Sequence, residues 1–173
     1  IRGFNEIENS CVDYNDLNGL RIQEKICCVK KNSTGFKIDL KKKNGTNLQS
    51  KQSYGSYNEN DFDILRVHLL CKVDDLDKVS FKRENYNIKY NGKDYDLAIN
   101  HIKSCKLFGY WDIPMHKLIS ENYVSTNNQK GKQSLIVFLP EEVANSIKYE
   151  LPKRILKDTP LWTREYFHKV YKN

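Results

Sequence analysis

The chain has 173 residues, 39% of them hydrophobic and 29% charged, which is typical of one globular domain and excludes a disordered protein. The net charge of +7 favours a polyanionic partner such as nucleic acid, although a basic protein without such a partner has the same composition. No apolar run approaches the roughly 20 residues of a membrane span and no secretory signal starts the sequence, so we expect an intracellular protein without a membrane partner.

Two further features bear on the origin of the chain. It begins at Ile1 rather than with Met, so we expect either processing or a piece of a longer chain with further domains. Its five cysteines include no C-x-x-C pair, which argues against a zinc site. Most of them lie in apolar stretches, as the reduced thiols of an intracellular protein do.

The segment Cys11–Cys28 predicts a β-hairpin. A short strand ends near Asp13, and a second strand covers Leu20–Cys28. Between them, residues 15–19 are rich in Asn, Asp and Gly, which tolerate the positive φ angles of a tight turn. The hairpin therefore places Asp13 opposite the second strand.

Side chains alternate between the two faces of that second strand, which gives it a polar and an apolar face. The polar face consists of Arg21, Gln23 and Lys25. The other face consists of Leu20, Ile22, Ile26 and one acid, Glu24. A polar face opposite Asp13 can form a hydrolytic metal site, in which the carboxylate binds a cation, the Gln carbonyl completes the coordination and the Lys ammonium orients a water or neutralises charge. The alternative is the solvated side of an edge hairpin.

The D-x9-Q-x-K spacing of this hairpin resembles the D…(D/E/Q)xK core of the PD-(D/E)XK nuclease superfamily, with Gln in place of the second acid. Further elements follow in matching order. They are a strand at Gly35–Lys42, a Y-x-x-Y-x-x-x-D-F-D segment at Tyr54–Asp63 and a W-D-I-P-x-x-x-L segment at Trp111–Leu118. This order is similar to that of small restriction-like and homing-type nucleases, and the resemblance covers roughly residues 1–118.

The resemblance implies an α/β (α+β) fold, with a central mixed β-sheet flanked by helices and a restriction-endonuclease-like core. In this interpretation one nuclease-like domain covers the chain, with a β-hairpin inserted at about 73–106 and a strand and helices at 119–173. Asn91-Gly92, between two Tyr-containing stretches, predicts the turn of that hairpin.

The resemblance also implies a metal-dependent DNA endonuclease of restriction or homing type, using Mg²⁺ or, in its place, Mn²⁺. Asp13 and Gln23 would be metal ligands, and together with Lys25 they would form the catalytic set. Superfamily members often add an acid from the preceding helix, which makes Glu6 a further metal ligand; its alternative is a solvated first turn. DNA is the implied partner, and a homodimer that cuts both strands is compatible with it.

A rival function is a nuclease-like domain that has lost its chemistry and acts as a nucleic-acid-binding or ribonucleoprotein structural component. Gln in place of the second acid favours this rival, because one carboxylate fewer weakens Mg²⁺ binding. Metal-dependent cleavage separates the two functions.

Basic and aromatic residues near the hairpin are candidates for contacts with a nucleic-acid backbone or with stacked bases. They are Lys30, Lys31, Lys41, Lys42, Lys43, Lys51, Tyr54 and Tyr57. A charge run such as Lys41–Lys43 is usually a solvated loop, and its position beside the proposed site is the reason for the second interpretation.

The most apolar stretch, Phe62–Leu70, is predicted to be the central strand, with His68 as a hydrogen-bonded core histidine. Pro114 ends a further strand at Leu107–Ile113 and begins a short helix or turn at Met115–Ser120.

The C-terminal part predicts a buried strand at Ser134–Leu139 and a helix from Pro140 toward Tyr149. A last helix is predicted at Leu161–Tyr171, where aromatic residues at helical spacing indicate a core-facing side.

Overall fold

The computed structural model of the chain describes residues 12–28, 35–44, 53–72, 105–146 and 159–170. Its architecture is mixed α/β, with a central five-stranded mixed sheet, two smaller two-stranded sheets and a few short helices. The predicted fold class is therefore confirmed.

The strands in the described ranges are β1 (Tyr14–Asn15), β2 (Arg21–Cys28), β3 (Gly35–Asp39), β4 (Lys41–Asn44), β5 (Ser53–Ser56), β6 (Ile64–Lys72), β7 (Cys105–Pro114), β8 (Ser134–Phe138) and β9 (Phe167–Lys169). The helices are α1 (Met115–Ser120), α2 (Glu141–Ser146) and a 3-10 helix (Leu161–Tyr166). None of these described helices is long and apolar enough to cross a membrane.

The central sheet has the strand order β1-β2-β6-β7-β9. β2 and β6 run parallel, while the other neighbouring strands run antiparallel. A parallel pair needs a crossover connection, and the chain between β2 and β6 includes β3, β4 and β5. β6 lies in the middle of the sheet, as the apolar stretch Phe62–Leu70 predicts.

The main hydrophobic core lies on one face of this sheet. Val67 and Leu69 are two positions apart on β6, so their side chains point to the same face, where both are fully buried. The antiparallel pair of β3 and β8 contributes buried residues to the same core. Trp111 of β7 links the two sheets, since its ring lies 6.0 Å from that of Phe36 and its Nε1–H donates to the Phe138 carbonyl at 3.0 Å. The largest core side chain thus has its polar atom satisfied.

The prediction of a helix at Leu161–Tyr171 is wrong in part. The segment forms the 3-10 helix and then the strand β9, in which Phe167 pairs with Trp111 of β7. Gly109 allows this close approach, because a Cβ at that position would lie 2.4 Å from the Phe167 ring. The sheet edge therefore takes residues that local spacing assigns to a helix, and their aromatic side chains pack on the main core as predicted.

One other boundary differs from the prediction. The strand predicted at Gly35–Lys42 is two strands that change partner at the buried Leu40, since β3 pairs with β8 and β4 pairs with β5. The hairpin predicted at Asn91-Gly92 lies outside the described residues.

The other C-terminal predictions agree with the structure. Pro114 ends β7 and precedes α1, and β8 occupies most of the predicted strand Ser134–Leu139. Pro140 precedes α2, whose first turn contains two acids as the helix dipole favours.

Candidate functional site

The predicted hairpin is present, and it brings Asp13 beside β2. β1 and β2 pair antiparallel with Tyr14 opposite Ile22, and the ladder continues where the Asp13 amide donates to the Ile22 carbonyl at 2.8 Å. In the turn, Asp16 Oδ1 accepts two main-chain amides at 2.9 Å each, and Gly19 has a φ of 79°. The short strand therefore begins just after Asp13, whereas the sequence predicted that it ends there.

Asp13, Gln23 and Lys25 lie together on this hairpin. Gln23 Nε2 donates to Asp13 Oδ2 at 2.6 Å, and the Glu24 main-chain amide donates to the same oxygen at 2.5 Å. Burial of the carboxyl group raises the pKa of Asp13 above its ordinary value and outweighs the hydrogen bonds from Glu24 and Gln23 and the charge of Lys25, which lower it. Asp13 and Gln23 of the sequence motif are thus bonded to each other, and Lys25 follows Gln23 on the same face of β2.

The polar face of β2 is not a solvated surface. Gln23 is only 7% exposed, and Cys27 farther along the same face packs against the main core. On the opposite face Ile22 is fully buried, so both faces of β2 are covered. β2 also pairs with β1 on one side and β6 on the other. The polar face is therefore buried at Gln23, while Arg21 and Lys25 on either side of it are partly exposed.

Arg21, the third polar residue of that face, has a different role. Its guanidinium binds the Asp63 carboxylate through Nε at 3.1 Å and Nη2 at 2.8 Å, and its main-chain amide donates to the same carboxylate at 2.8 Å. These contacts lower the pKa of Asp63. They join the start of β2 to the residue before β6. In the sequence, the D-F-D segment drew attention to Asp63, but nothing in it identified Arg21 as the residue that Asp63 binds.

A second polar group occupies the reverse face of the sheet, and sequence reasoning missed most of it. His68 is 5% exposed, which agrees with its predicted place in the core, and its Nε2 lies against a carboxylate oxygen of Glu24. Arg66 binds Asp112 in a two-pronged pair at 2.7 and 2.6 Å and donates to the Tyr14 hydroxyl at 3.1 Å. Burial raises the pKa of Tyr14 to about 12. The sequence signal that could have revealed this polar group is the presence of charged residues within otherwise apolar strands.

The predicted nucleic-acid contacts have different environments. Tyr57 is 5% exposed and packs edge-to-face on Phe62 with ring centroids 5.2 Å apart, which is not compatible with stacking on a base. Lys42 Nζ binds both oxygens of Asp61, at 2.7 and 2.9 Å, so its charge is already paired. Lys41 is exposed on β4.

The side chains of the remaining predicted site residues are not among those that the structure describes. Lys43 and Tyr54 face each other in the register of β4 and β5, and the structure describes only their main-chain positions. Four candidates lie outside the described residues. They are Glu6, Lys30, Lys31 and Lys51.

The described residues include no group of three or more His, Cys, Asp or Glu side chains that could hold a metal ion. At the hairpin, the oxygen donors that the motif supplies are the Asp13 carboxylate and the Gln23 side-chain amide.

Comparison with known proteins relates the chain to others by fold. No protein-family model matches it, and no curated protein matches it. Among solved structures, the crystal structure of a protein named MepB superposes with a TM-score of 0.57, covering 99% of this chain and 88% of that one at 14% sequence identity. At this identity the similarity shows a shared fold alone.

Proposed function

We propose that the chain is a metal-dependent DNA endonuclease that hydrolyses phosphodiester bonds. One observation carries this proposal: the acid and the amide of the D…QxK motif meet on one hairpin, where Gln23 is bonded to Asp13 at 2.6 Å. Lys25 follows Gln23 on the same face of β2. Chance spacing in a sequence does not require the first two side chains to meet, so their contact supports the nuclease interpretation of the motif.

The donor chemistry of the hairpin fits a small divalent cation such as Mg²⁺, with Mn²⁺ as a substitute. Both described hydrogen bonds to the Asp13 carboxylate go to Oδ2, which leaves Oδ1 for a ligand. Gln23 now directs its amide nitrogen at Asp13, and a half-turn of that amide presents its carbonyl oxygen instead. Mg²⁺ is commonly held by one or two carboxylates, waters and substrate phosphates. When bound, the cation would polarise the phosphate and lower the pKa of a water.

The side chains of the hairpin have separate roles in this proposal. Asp13 would hold the cation, and the Glu24 amide fixes the carboxylate by its hydrogen bond to Oδ2. Gln23 is a second oxygen donor. Lys25 orients the attacking water or neutralises the negative charge that develops on the phosphate.

DNA as the partner is supported by the net charge of +7 and by exposed lysines on the strands after the hairpin, Lys37 and Lys41. An intracellular location belongs to the same proposal, because most of the cysteines lie in apolar stretches, as reduced thiols do. A homodimer that cuts both strands is testable by light scattering of the chain with and without duplex DNA.

A second candidate is a nucleic-acid-binding domain without cleavage. One observation favours it: Gln23 stands where the motif has its second acid and hydrogen-bonds Asp13 with its amide group, so Asp13 is the single carboxylate of the motif. In this case the protein binds DNA through its basic surface and the hairpin is structural.

The test is cleavage of supercoiled plasmid by the purified chain with Mg²⁺, with Mn²⁺ and with EDTA. We expect nicked and linear products with either metal and none with EDTA. Asp13→Asn should abolish cleavage while DNA binding, measured by fluorescence anisotropy, stays nearly unchanged. Glu59→Gln makes the same change of charge at an exposed acid and should cleave like the wild type.

Two results contradict the proposal. Equal nicking by Asp13→Asn would exclude Asp13 as the metal ligand. A folded wild type that binds DNA but cleaves no supercoiled, linear or single-stranded form with either metal would establish the second candidate.

A further inference from the structure

We propose that Tyr57 is a positioning residue whose ring holds the Lys25 ammonium toward Asp13. Lys25 Nζ lies over this ring, 5.6 Å from its centroid. The catalytic part of this inference rests on the proposed nuclease function, whereas the placement of the ammonium does not. It gives Tyr57 a role inside the fold in place of the predicted contact with a base.

The ring of Tyr57 is fixed by its surroundings. It is 5% exposed, belongs to the main core and packs edge-to-face on Phe62. The main chain is held as well, because the Tyr57 carbonyl accepts the Ser125 amide at 2.7 Å and the next amide, that of Asn58, donates to Asp61 at 2.7 Å. A ring held in this way is a rigid surface for a neighbouring group.

Lys25 needs such a surface because its four-carbon stem is flexible. The face of an aromatic ring carries negative electrostatic potential and attracts an ammonium within about 6 Å of its centroid. Asp13 lies on the same hairpin, with its carboxylate bonded to the Gln23 side chain and the Glu24 main-chain amide, and these two residues directly precede Lys25. A ring that restricts the positions of Nζ beside this carboxylate matters for a group that acts on a reacting phosphate.

The chain contains a matched control for this arrangement. Tyr123 is 6% exposed, belongs to the same core and has Lys132 Nζ over its ring at 4.7 Å. Tyr123 makes no described contact with Asp13, Gln23 or Lys25. Replacing either tyrosine by Leu removes a buried ring from the same core, but only one replacement removes the surface under Lys25.

The first measurement is independent of activity. Lysines are reductively methylated with ¹³C-formaldehyde, which keeps their charge, and the methyl resonances of Lys25 and Lys132 are assigned with Lys25→Arg and Lys132→Arg. We expect the Lys25 resonance to be displaced by the ring current of Tyr57. Tyr57→Leu should remove that displacement, Tyr57→Phe should keep it, and Tyr123→Leu should remove only the displacement of Lys132.

The second measurement is steady-state cleavage of a duplex with Mg²⁺. Tyr57→Leu should lower kcat roughly tenfold to a hundredfold, the scale on which a misplaced catalytic group slows a reaction, with KM for DNA unchanged. Tyr57→Phe should restore kcat, because the ring and not the hydroxyl does the positioning. Tyr123→Leu should lose comparable thermal stability and keep kcat.

The outcomes separate this inference from the proposed function. A wild type without cleavage refutes the nuclease proposal, and the Lys25 resonance still decides where the ammonium lies. A Lys25 resonance that Tyr57→Leu leaves in place overturns the positioning role. Equal losses of kcat in Tyr57→Leu and Tyr123→Leu also overturn it, since they would reflect the core alone.

Discussion

Replacement of Arg66 by Met should destabilise the fold by removing the cation from the reverse face of the sheet. Arg66 makes two charge-assisted hydrogen bonds to Asp112, at 2.7 and 2.6 Å, and a third bond to the Tyr14 hydroxyl at 3.1 Å. Its guanidinium also lies over the Tyr110 ring, 5.2 Å from the centroid. Met fills the space of the stem, so the main effect is an Asp112 charge left without its partner.

The size of the effect follows from the exposure of the pair. Breaking a buried ion pair costs about 3–5 kcal/mol, whereas exposed pairs contribute about 0–1 kcal/mol. The side chains of Arg66 and Asp112 are 24% and 20% exposed, so we expect an intermediate loss. About 2–3 kcal/mol corresponds to a fall in Tm of roughly 4–12 °C for a chain of this size.

Thermal melts followed by circular dichroism measure this loss. The control is a variant that breaks the ion pair between Lys117 and Glu121. Lys117→Met breaks the contact between α1 and Glu121, the residue directly after this helix, and should cost only about 0.5 kcal/mol. Arg66→Met/Asp112→Leu should be more stable than Arg66→Met, because it removes the stranded carboxylate. A Tm of Arg66→Met within about 2 °C of the wild type, or no recovery in the double variant, would refute this account.

Three further predictions concern the site and its surroundings. Lys25→Ala should slow DNA cleavage roughly a hundredfold with little change in Tm, and an unchanged rate would exclude a catalytic role. Lys41→Ala should make the fall of DNA affinity with salt shallower by roughly one ion, and an identical slope would mean that Lys41 touches no phosphate. Because Arg21 lowers the pKa of Asp63 below its ordinary 3.8, this pair stabilises the fold above that pH and the contribution is lost as the pH falls through the lowered pKa. Asp63→Asn should therefore weaken the loss of stability in acid, and denaturant titrations at pH 2 to 7 that show an unchanged pH dependence would contradict this.

The sequence by itself determined the local elements of the site. Asn, Asp and Gly residues between 15 and 19 predict the turn because few other residues adopt its backbone angles, and that turn fixes Asp13 opposite β2. The apolar stretch Phe62–Leu70 predicts the central strand, since only a strand covered on both faces carries so few polar residues. Both signals are local, and both are confirmed.

The tertiary structure alone decided what covers these elements. Alternation along β2 tells which residues share a face, but the burial of Gln23 depends on the strands that pack over it from distant parts of the chain. Tyr57 lies in a polar segment that predicts an exposed ring, yet contacts with Phe62 and Ser125 place it in the core.

The C-terminal segment shows the same limit. Its aromatic residues recur at helical spacing. Local propensity carries no information about the edge of β7, a distant strand that is available for pairing. Pairing Phe167 with Trp111 gives that edge main-chain partners and partly buries the ring beside Gly109. A local preference is worth tenths of a kcal/mol per residue. Even part of the about 1.5–3 kcal/mol that full burial of a large side chain contributes exceeds it, so the strand forms where the sequence pattern favoured a helix.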